Sequence, residues 1–254
     1  MMEWYPTPSY LVKRRAIIEA LHRIDGRQVL EIGCGAGDLL AVLGKRGYRG
    51  IGIDISDEAR AAARIRVATG PVMVDDRRFD ELTEQFSLVI ASEVMEHIED
   101  DVGFLRQVRE RLLPGGHLLL TVPAHMERWG ANDDFSGHVR RYARAELAAK
   151  VQQAGFSVSS LHSYGVPLYN LMKPMYDRAI ARKVDGSADL DQRTKQSSGM
   201  WLFTDRQRLF HLLFNDITLW PFYQLQRLFY RTDLGNGYVL TAKKTTNGGS
   251  SCSD

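Results

Sequence analysis

A glycine-rich run near position 35 constrains the fold of this chain more than any other feature. The apolar residues 29–32 lead into Gly33, Gly35 and Gly37, and a helical pattern over 38–45 follows at once. Glycine allows a tight turn and removes the Cβ atoms that would keep a ligand away from the backbone. The run therefore predicts a strand, a tight turn and a helix, the unit with which α/β sheets hold nucleotide-like ligands.

Strand and helix patterns alternate along most of the chain. Strands are predicted over 29–32, 49–55, 72–74, 88–91, 117–122, 156–163 and 238–243, and helices over 11–24, 38–45, 58–67, 101–112 and 144–154, with a turn at 114–116. Strands that alternate with helices of this length form βαβ units around a parallel sheet. The pattern predicts a Rossmann-like, doubly wound α/β fold.

Residues 166–232, between the last two strands, are too many for a simple connection. The segment is rich in aromatic and leucine residues and carries ten Lys and Arg against six Asp. The capping pattern at 204–207 predicts a helix over 205–217, and Pro221 suits the first turn of another helix. We therefore predict a core over 1–165 plus 233–245, a helical insert or cap over 166–232, and a disordered tail over 246–254.

Composition narrows the classes of protein that the chain can belong to. The net charge of +2 and the absence of an Asn/Asp-Pro-Pro-aromatic motif argue against a nucleic-acid partner. The two cysteines, Cys34 and Cys252, give neither a disulfide framework nor a metal spacing, so no metal site is predicted. No apolar stretch approaches the roughly 20 residues that span a bilayer, and no signal peptide is recognised, so a cytoplasmic location is expected.

The residue after the glycines helps to identify the ligand. A dinucleotide fingerprint needs Gly or Ala at position 38, where this chain has Asp38. A carboxylate at that helix N-terminus would repel a pyrophosphate. S-adenosylmethionine (SAM) has no phosphate, and its sulfonium and ammonium groups tolerate nearby acids. The spacing thus favours SAM over a nicotinamide dinucleotide, which remains the rival.

Acidic residues follow the second and third predicted strands. Asp54 can accept hydrogen bonds from both ribose hydroxyls of an adenosine, although it could instead serve as an N-cap, a role open also to Asp57. Asp75 and Asp76 supply a carboxylate and a backbone N–H for an adenine edge, or form only a polar loop. Ligands of parallel sheets bind at the carboxyl ends of the strands, where all these groups lie.

Five segments, taken in order, resemble class I SAM-dependent methyltransferases. They read VLEIGCGAGDLL, IGIDIS, VDD, FSLVIASEVMEHIED and LLPGGHLLLTVPAH. The similarity is to the broad small-molecule group that includes the ubiquinone and menaquinone biosynthesis methyltransferases. It implies SAM as cofactor, S-adenosylhomocysteine (SAH) as product, and a seven-stranded sheet whose last strand is antiparallel. Ser87 departs from the Asp that is usual in the family, at a position of structural importance.

The resemblance also implies positions for the parts of SAM. The glycines lie beside the methionine part, Asp54 on the ribose, Asp75 near the adenine amino group and the backbone of 91–93 near the sulfonium. Tyr10 and Arg14, in the first helix, could form a lid near the SAM carboxylate or simply cover a sheet edge. The predicted cofactor-binding residues are Gly33, Cys34, Gly35, Asp54, Ile55, Asp75, Asp76, Ser92, Tyr10 and Arg14.

Two histidines are candidate general bases. Methyl transfer from SAM is an in-line displacement on an activated carbon, so a base is needed only when the acceptor must lose a proton. His97 follows the fourth strand in a Glu-His pair, and it could act as a base or simply pack in the loop. His138, in the run GHVRRY, is the stronger candidate for a base or substrate contact.

The segment 125–142 follows the fifth strand and would lie over the cofactor edge of the sheet, where loops usually carry the substrate. The predicted substrate-binding residues are His125, Trp129, Asp134, Arg141 and Tyr142. The alternative is a structural network in which Arg140 or Arg141 pairs with Asp133 or Asp134 and holds the loop in place.

The expected partner is a small-molecule substrate, with the chain a monomer or homodimer. The insert 166–232 could be a substrate cap, a dimer surface or a contact with a membrane surface, since a lipid-linked substrate would suit its charge and aromatic residues. A SAM-binding partner protein without catalysis is a further alternative.

Overall fold

A sheet of seven strands is the centre of the computed structural model, which describes residues 6–181 and 213–245. The strands are β1 (Gln28–Ile32), β2 (Arg49–Ile53), β3 (Val72–Val74), β4 (Phe86–Ser92), β5 (Leu112–Pro123), β6 (Phe156–Tyr164) and β7 (Gly237–Lys244). The α-helices in the described residues are α1 (Pro8–Leu21), α2 (Asp38–Lys45), α3 (Asp57–Val67), α4 (Asp101–Glu110), α5 (Ala131–Ser136), α6 (Arg144–Gln153), α7 (Leu168–Ala181) and α8 (Trp220–Phe229).

The strand order is β3-β2-β1-β4-β5-β7-β6. The five strands from β3 to β5 pair in parallel, and β7 pairs antiparallel to both β5 and β6. The predicted seven-stranded sheet with an antiparallel last strand is confirmed. Between β1 and β4 the connections turn to opposite sides, and ligands of such folds bind at this switch point.

Apolar strands form because helices cover both faces of the sheet. Along β4, Val89 and Ala91 belong to one buried cluster, whereas Leu88 and Ile90 belong to the cluster on the other face. Successive side chains of a strand point to opposite faces, so a strand buried on both sides reads as a continuous apolar run.

The fifth strand is longer than predicted. The turn expected at 114–116 lies within the span of β5, where the pairing with β4 shifts from Phe86–Leu112 to Leu88–His117. The offset forms a bulge, and the left-handed φ of +71° at Gly115 accommodates it. The bulge lies far from the carboxyl end of β5, so it leaves the site edge regular.

The described part of the insert packs on the core. Pro221 lies in the first turn of α8, as predicted, while the predicted helix over 205–217 falls outside the described residues up to 212. Residues 214–217 form bends and turns rather than a helix. The side chain of Asn215 accepts hydrogen bonds from the N–H groups of Ile217 (2.9 Å) and Thr218 (3.2 Å), and such bonds compete with those of a helix. The prediction was therefore wrong at this end.

Helix α8 contacts α1 through a small buried cluster that contains Leu11, Val12, Leu219 and Tyr223. None of the helices within 6–181 and 213–245 has the length and hydrophobicity to cross a membrane. The predicted tail over 246–254 lies outside the described residues, and the division into core and insert stays a prediction.

Candidate active site

The glycine loop between β1 and α2 is held in an open turn. Gly33, Gly35 and Gly37 have φ angles of +71°, +51° and +74°, which favour glycine. The N–H groups of Gly33 and Cys34 both donate to the carbonyl of Ile53, each at 2.9 Å, which fixes the loop to the end of β2. A Cβ atom on Gly35 would meet nothing within 4 Å, so the loop borders open space on the side where a ligand can lie.

Asp54 connects the end of β2 to this loop. Its carboxylate accepts hydrogen bonds from the N–H of Gly35 (2.8 Å) and the N–H of Ser56 (2.9 Å). Burial raises the pKa of Asp54, an effect that these backbone N–H groups oppose. The N-cap of α3 is Ser56, so the alternative N-cap role does not belong to Asp54. Ile55, beside it, is 54% exposed and offers an apolar surface at the same edge.

The acids after β3 already have cationic partners. A hydrogen bond and ion pair with Arg77 (2.8 Å) lowers the pKa of Asp75, and Asp76 pairs with Arg60 (3.1 Å) and with Arg64. Their carboxylates lie at the predicted strand end, but each is neutralised by arginine. Both oxygens of Asp75 contact Arg77, so a contact between Asp75 and an adenine would use an oxygen that the arginine shares.

A buried carboxylate next to the loop was not singled out by the sequence analysis. Glu31, on β1, is 2% exposed, and its Oε2 has no hydrogen-bond partner among the described residues. Burial and the nearby Asp38 and Asp54 raise its pKa well above the usual value. A buried acceptor without a donor fits a ligand that brings an ammonium group, as the methionine part of SAM does. The sequence signal that could have identified Glu31 is an acidic residue inside an otherwise apolar strand.

The first helix lies over the same region. Arg14 pairs with Asp38 at 2.6 Å and with Asp216, in the insert, at 2.5 Å. Burial beside Asp38 raises the pKa of Tyr10. Both predicted lid residues thus lie beside the start of α2. Because the Arg14 guanidinium already pairs with two carboxylates, a SAM carboxylate would share it with them.

Lys13 was also missed. The positive charge of Lys13 acts on three buried carboxyls. It opposes the rise that burial causes in the pKa values of Glu31 and Glu96, and it contributes to the lowered pKa of Glu93. Its ammonium group is therefore within electrostatic reach of both the cofactor edge and the end of β4. Lys13 lies three residues after Tyr10, so the two share a face of α1.

At the end of β4 the backbone changes direction sharply. Ser92 shares a hydrogen bond of 2.9 Å with Thr121, so its side chain joins β4 to β5. The next residue, Glu93, has a left-handed φ of +57°, and its Oε1 accepts a hydrogen bond from Tyr164 at 3.0 Å. The backbone of 91–93 lies at the switch point, where the resemblance expects the sulfonium.

The two predicted histidines meet in a cluster with Glu96. Ligating atoms of Glu96, His97 and His138 all lie within 4.8 Å of one another, and the imidazole rings pack edge to face with centroids 4.8 Å apart. Glu96 is fully buried, and neither carboxylate oxygen has a hydrogen-bond partner among residues 6–181 and 213–245. Nε2 of His138 lies 3.8 Å from Oε1 of Glu96. The backbone of Val139 donates to the carbonyl of Glu96 at 2.9 Å, which joins the two loops.

The orientation of each imidazole follows from its Nδ1 partner. Nδ1 of His138 lies 2.8 Å from Oδ1 of Asp133, and Nδ1 of His97 lies 3.2 Å from the carbonyl of Gly137. Both partners can only accept, so each Nδ1 carries a hydrogen. Burial and the nearby His138 lower the pKa of His97 to about 4, so this imidazole is neutral at pH 7.

Asp133 is the centre of a buried network. It is fully buried and accepts hydrogen bonds from Arg141 (2.8 Å) and from the backbone of Gly130 (2.9 Å) in addition to His138. Lys173, on α7, lies 3.9 Å from its other oxygen. The structural network that the sequence left open is therefore present, with Asp133 and Arg141 as the pair.

The network corrects two of the predicted substrate contacts. Arg141 is 4% exposed and donates to the carbonyl of Ala124 at 2.6 Å. Tyr142 is fully buried, and its hydroxyl donates to Asp101 at 3.0 Å. The two side chains reach different parts of the core. Arg141 contacts the chain just after β5, and Tyr142 contacts the loop after β4, where its hydroxyl also lies 3.3 Å from the carbonyl of Met95. Their burial argues against contact with a substrate.

The other three predicted substrate residues are less deeply buried: Asp134 is exposed, and Trp129 and His125 are partly buried. The indole of Trp129 donates to the carboxylate of Asp134 at 2.9 Å, and Asp134 is exposed. His125 has a left-handed φ of +66°, and its Nε2 lies 3.4 Å from the hydroxyl of Tyr238. Their contact with a substrate stays a prediction.

The fold and this site define a class of protein. The switch point of a doubly wound sheet carries an open glycine loop, buried carboxylates suited to a cationic ligand, and an acceptor-rich cluster beside them. That combination is typical of enzymes that use an adenosine-containing, positively charged cofactor.

Comparison with known proteins identifies the family. The model of a family described as "Methyltransferase domain" matches residues 10–161. The ubiquinone biosynthesis O-methyltransferase of Pseudomonas aeruginosa is 33% identical over 102 residues, which cover 38% of this chain and 44% of that protein. The chain thus belongs to the methyltransferase domain family, whose members use SAM, and the resemblance found in the sequence is confirmed. The matched region spans less than half the length of that relative.

Solved structures share the fold at low identity. A SAM-dependent methyltransferase from Mesorhizobium loti has a TM-score of 0.55 and 15% identity, covering 90% of this chain and 95% of that one. The [4+2]-cyclase SpnF has a TM-score of 0.61 and 19% identity, covering 93% and 82%. At these identities the similarity shows the fold alone, and it includes a protein described as a cyclase.

Proposed function

We propose that this chain is an enzyme that transfers the sulfonium methyl group of SAM to an oxygen atom of a small or medium-sized, partly apolar acceptor. The observation that carries the choice of oxygen is the cluster of Glu96, His97 and His138, which presents proton acceptors at the cofactor edge. A hydroxyl must lose its proton to become a strong nucleophile, and such a cluster can take it. The O-methyltransferase name of the bacterial relative supports this choice over nitrogen or carbon.

SAM, the methyl donor, lies along the glycine loop. The open space at Gly35 admits the methionine part, and the Oε2 of Glu31 accepts its ammonium group. Asp54, already aligned by two backbone N–H groups, accepts from the ribose, with Ile55 beside the adenine. A cation in this acidic surrounding gains electrostatic stabilisation that a pyrophosphate would lose.

His138 is the base that activates the methyl acceptor. Its Nε2 takes the hydroxyl proton, the oxygen attacks the methyl carbon, and the carbon–sulfur bond breaks with its electrons on sulfur, giving SAH. Asp133 holds the ring through Nδ1 and stabilises the imidazolium that forms. His97 is the weaker candidate, because its lowered pKa of about 4 makes it a poor proton acceptor. The surface of the 125–142 loop and helix α7 enclose the acceptor.

Two measurements test the proposal. The first is calorimetric titration with SAH and with NAD, and the second is turnover with a panel of phenols, catechols, amines and acidic carbon compounds. We expect SAH to bind at one site and a hydroxyl acceptor to release SAH. Tight NAD binding without SAH binding would overturn the proposal, and turnover confined to amines or carbon acids would overturn the choice of oxygen. SAH binding without turnover of any acceptor would favour a non-catalytic SAM-binding protein.

We expect the substitution Asp54→Asn to weaken SAH binding about 10- to 100-fold, because hydrogen bonds to a charged group are worth about 1.5–3 kcal/mol. The amide keeps the shape but cannot accept from both N–H groups and the ribose. Calorimetry measures the effect, and Asp57→Asn is the matched control, since the Asp57 side chain is 88% exposed at the next turn. Equal affinities in the two variants would contradict the ribose role.

A lipid or lipid-linked acceptor at a membrane surface is the second candidate. Large apolar side chains of α7 and α8 are solvent-exposed among the described residues: Leu171 (72%), Met175 (68%), Trp220 (57%) and Leu228 (75%). Such a surface can lie against lipid headgroups and acyl chains. Sedimentation with anionic vesicles tests this second candidate, and the absence of binding would overturn it.

A further inference from the structure

Arg14, on α1, has more hydrogen-bond donors than its described partners use. Its side chain is 9% exposed, and its two terminal nitrogens donate to Asp38 (2.6 Å) and Asp216 (2.5 Å). A guanidinium carries five N–H groups, and two of them donate here, so three have no acceptor within residues 6–181 and 213–245. A charged group that is nine-tenths buried needs acceptors for its donors, and a planar carboxylate suits this fork of N–H groups best.

Arg14 lies next to the part of the site proposed for the methionine end of SAM. Asp38, its partner, is the first residue of α2, directly after the glycine loop. Glu31, proposed above as the acceptor for the SAM ammonium group, lies close enough to Asp38 for their charges to interact. The ammonium and carboxylate groups of an amino acid are attached to the same carbon atom. A donor group for the carboxylate is therefore needed close to Glu31, and Arg14 meets that need.

Asp216, in the segment before α8, is itself held in place. Its Oδ1 accepts a hydrogen bond from the hydroxyl of Tyr223 at 2.9 Å, and Tyr223 is 1% exposed in the cluster that joins α8 to α1. The turn that carries Asp216 is fixed by Asn215, whose side-chain oxygen accepts hydrogen bonds from two backbone N–H groups of the same turn. Oδ2 of Asp216 thus meets the Arg14 guanidinium from a fixed position.

We propose that Asp216 is a positioning residue for the methyl donor: it holds the Arg14 guanidinium in the orientation that binds the carboxylate of SAM. Since this role requires SAM in the site, it rests on the proposed function. An arginine side chain has several rotatable bonds, and fixing them before the ligand arrives lowers the entropic cost of binding. The segment between α7 and β7 thereby contributes to the affinity for the donor, in addition to any contact with the acceptor.

The negative charge of Asp216 opposes the SAM carboxylate only weakly. The Asp216 side chain is 62% exposed, so water and salt screen its field. Its hydrogen bond with Arg14 nevertheless fixes one side of a guanidinium whose other described partner, Asp38, contacts a different nitrogen. Loss of this orientation outweighs the loss of repulsion, so removal of Asp216 weakens the binding of a ligand that has the carboxylate.

Calorimetric titration of the full chain with two ligands tests this role. The ligands are SAH and decarboxylated SAH, which keeps the ammonium group and lacks only the carboxylate. We expect Asp216→Ala to weaken SAH binding about 5- to 20-fold and to leave the affinity for decarboxylated SAH within about twofold of the parent. Asp216→Asn keeps an oxygen for Arg14 and should regain part of the loss. Asp80→Ala is the matched control, because the Asp80 side chain is 66% exposed and pairs with Arg78 at 3.2 Å, between β3 and β4.

A second variant tests the partnership with Arg14. Arg14→Lys keeps the positive charge but loses the fork of donors, so it should also weaken SAH binding. Adding Asp216→Ala to Arg14→Lys should weaken SAH binding by less than about twofold more, because the two residues act through one interaction. The thermal midpoint of Asp216→Ala without ligand should fall by less than about 4 °C, as expected for an exposed ion pair.

The outcomes separate this role from the proposed function. Unchanged or tighter SAH binding in Asp216→Ala would overturn the role of Asp216, as would equal losses of affinity for both ligands or additive losses in the double variant. None of these results would affect methyl transfer itself. A parent chain that binds SAH but turns over no hydroxyl acceptor would overturn only the proposed function, whereas a parent chain that binds no SAH would overturn both.

Discussion

The substitution His138→Gln is expected to lower kcat for the hydroxyl acceptor by about 10²–10⁴-fold, the range typical of losing a general base. Glutamine keeps the reach of the side chain, but its amide nitrogen does not accept a proton. SAH affinity should remain unchanged, because His138 contacts Asp133 and Glu96 rather than the glycine loop. Steady-state kinetics and SAH titration measure the two effects separately.

The variant His97→Gln decides how His138 acts. If His97 were the base instead, the loss of kcat would be confined to His97→Gln. A loss confined to His138→Gln would instead indicate a single base held by Asp133. His22→Gln should keep kcat within about twofold, as expected of an exposed substitution outside the site. An active His138→Gln enzyme would contradict the role of this imidazole as the base.

Asp133→Ala is expected to lower the free energy of unfolding by about 3–5 kcal/mol, the cost of removing one partner from a buried ion pair. Asp133 is fully buried and Arg141 is 4% exposed, so the guanidinium would be left without its carboxylate. The backbone N–H of Gly130 and the imidazole of His138 would lose the same acceptor. Urea unfolding measured by circular dichroism gives the difference.

Asp134→Ala is the matched control on the same short helix. Asp134 is exposed and accepts from the Trp129 indole at 2.9 Å, so its loss should cost no more than about 1 kcal/mol. Similar stabilities for the two variants would show that Asp133 is not the centre of the loop network. A stable Asp133→Ala protein with a low kcat would assign Asp133 to positioning His138 alone.

The positions of the predicted cofactor residues could be read from the sequence because these groups lie at the ends of consecutive strands. Gly33, Gly35 and Asp54 follow β1 and β2, and parallel strands bring their carboxyl ends to one edge. Their spacing along the chain is therefore nearly their arrangement in space. The same reasoning overlooked Glu31, because an acid within a strand looks like an interruption of the apolar pattern until its burial is known.

The arrangement of the acceptor side could not be read from the sequence because its groups come from distant segments. His97 and His138 are separated by 41 positions in the chain, so the cluster that they form with Glu96 is invisible in the sequence. Arg141 and Tyr142 read as substrate contacts in a polar run, but the structure buries both. Lys13 was passed over because a single lysine on a helix is usually solvated.

The glycine run and the strand-end acids determined, from the sequence alone, the sheet, the family and SAM as the methyl donor. They could do so because turns and strand ends depend on local backbone chemistry, which short motifs record. Only the tertiary structure brought Glu96, His97 and His138 together and separated the exposed Asp134 from the buried Arg141. The physical reason is that burial and proton-acceptor clustering depend on contacts between loops far apart in the chain.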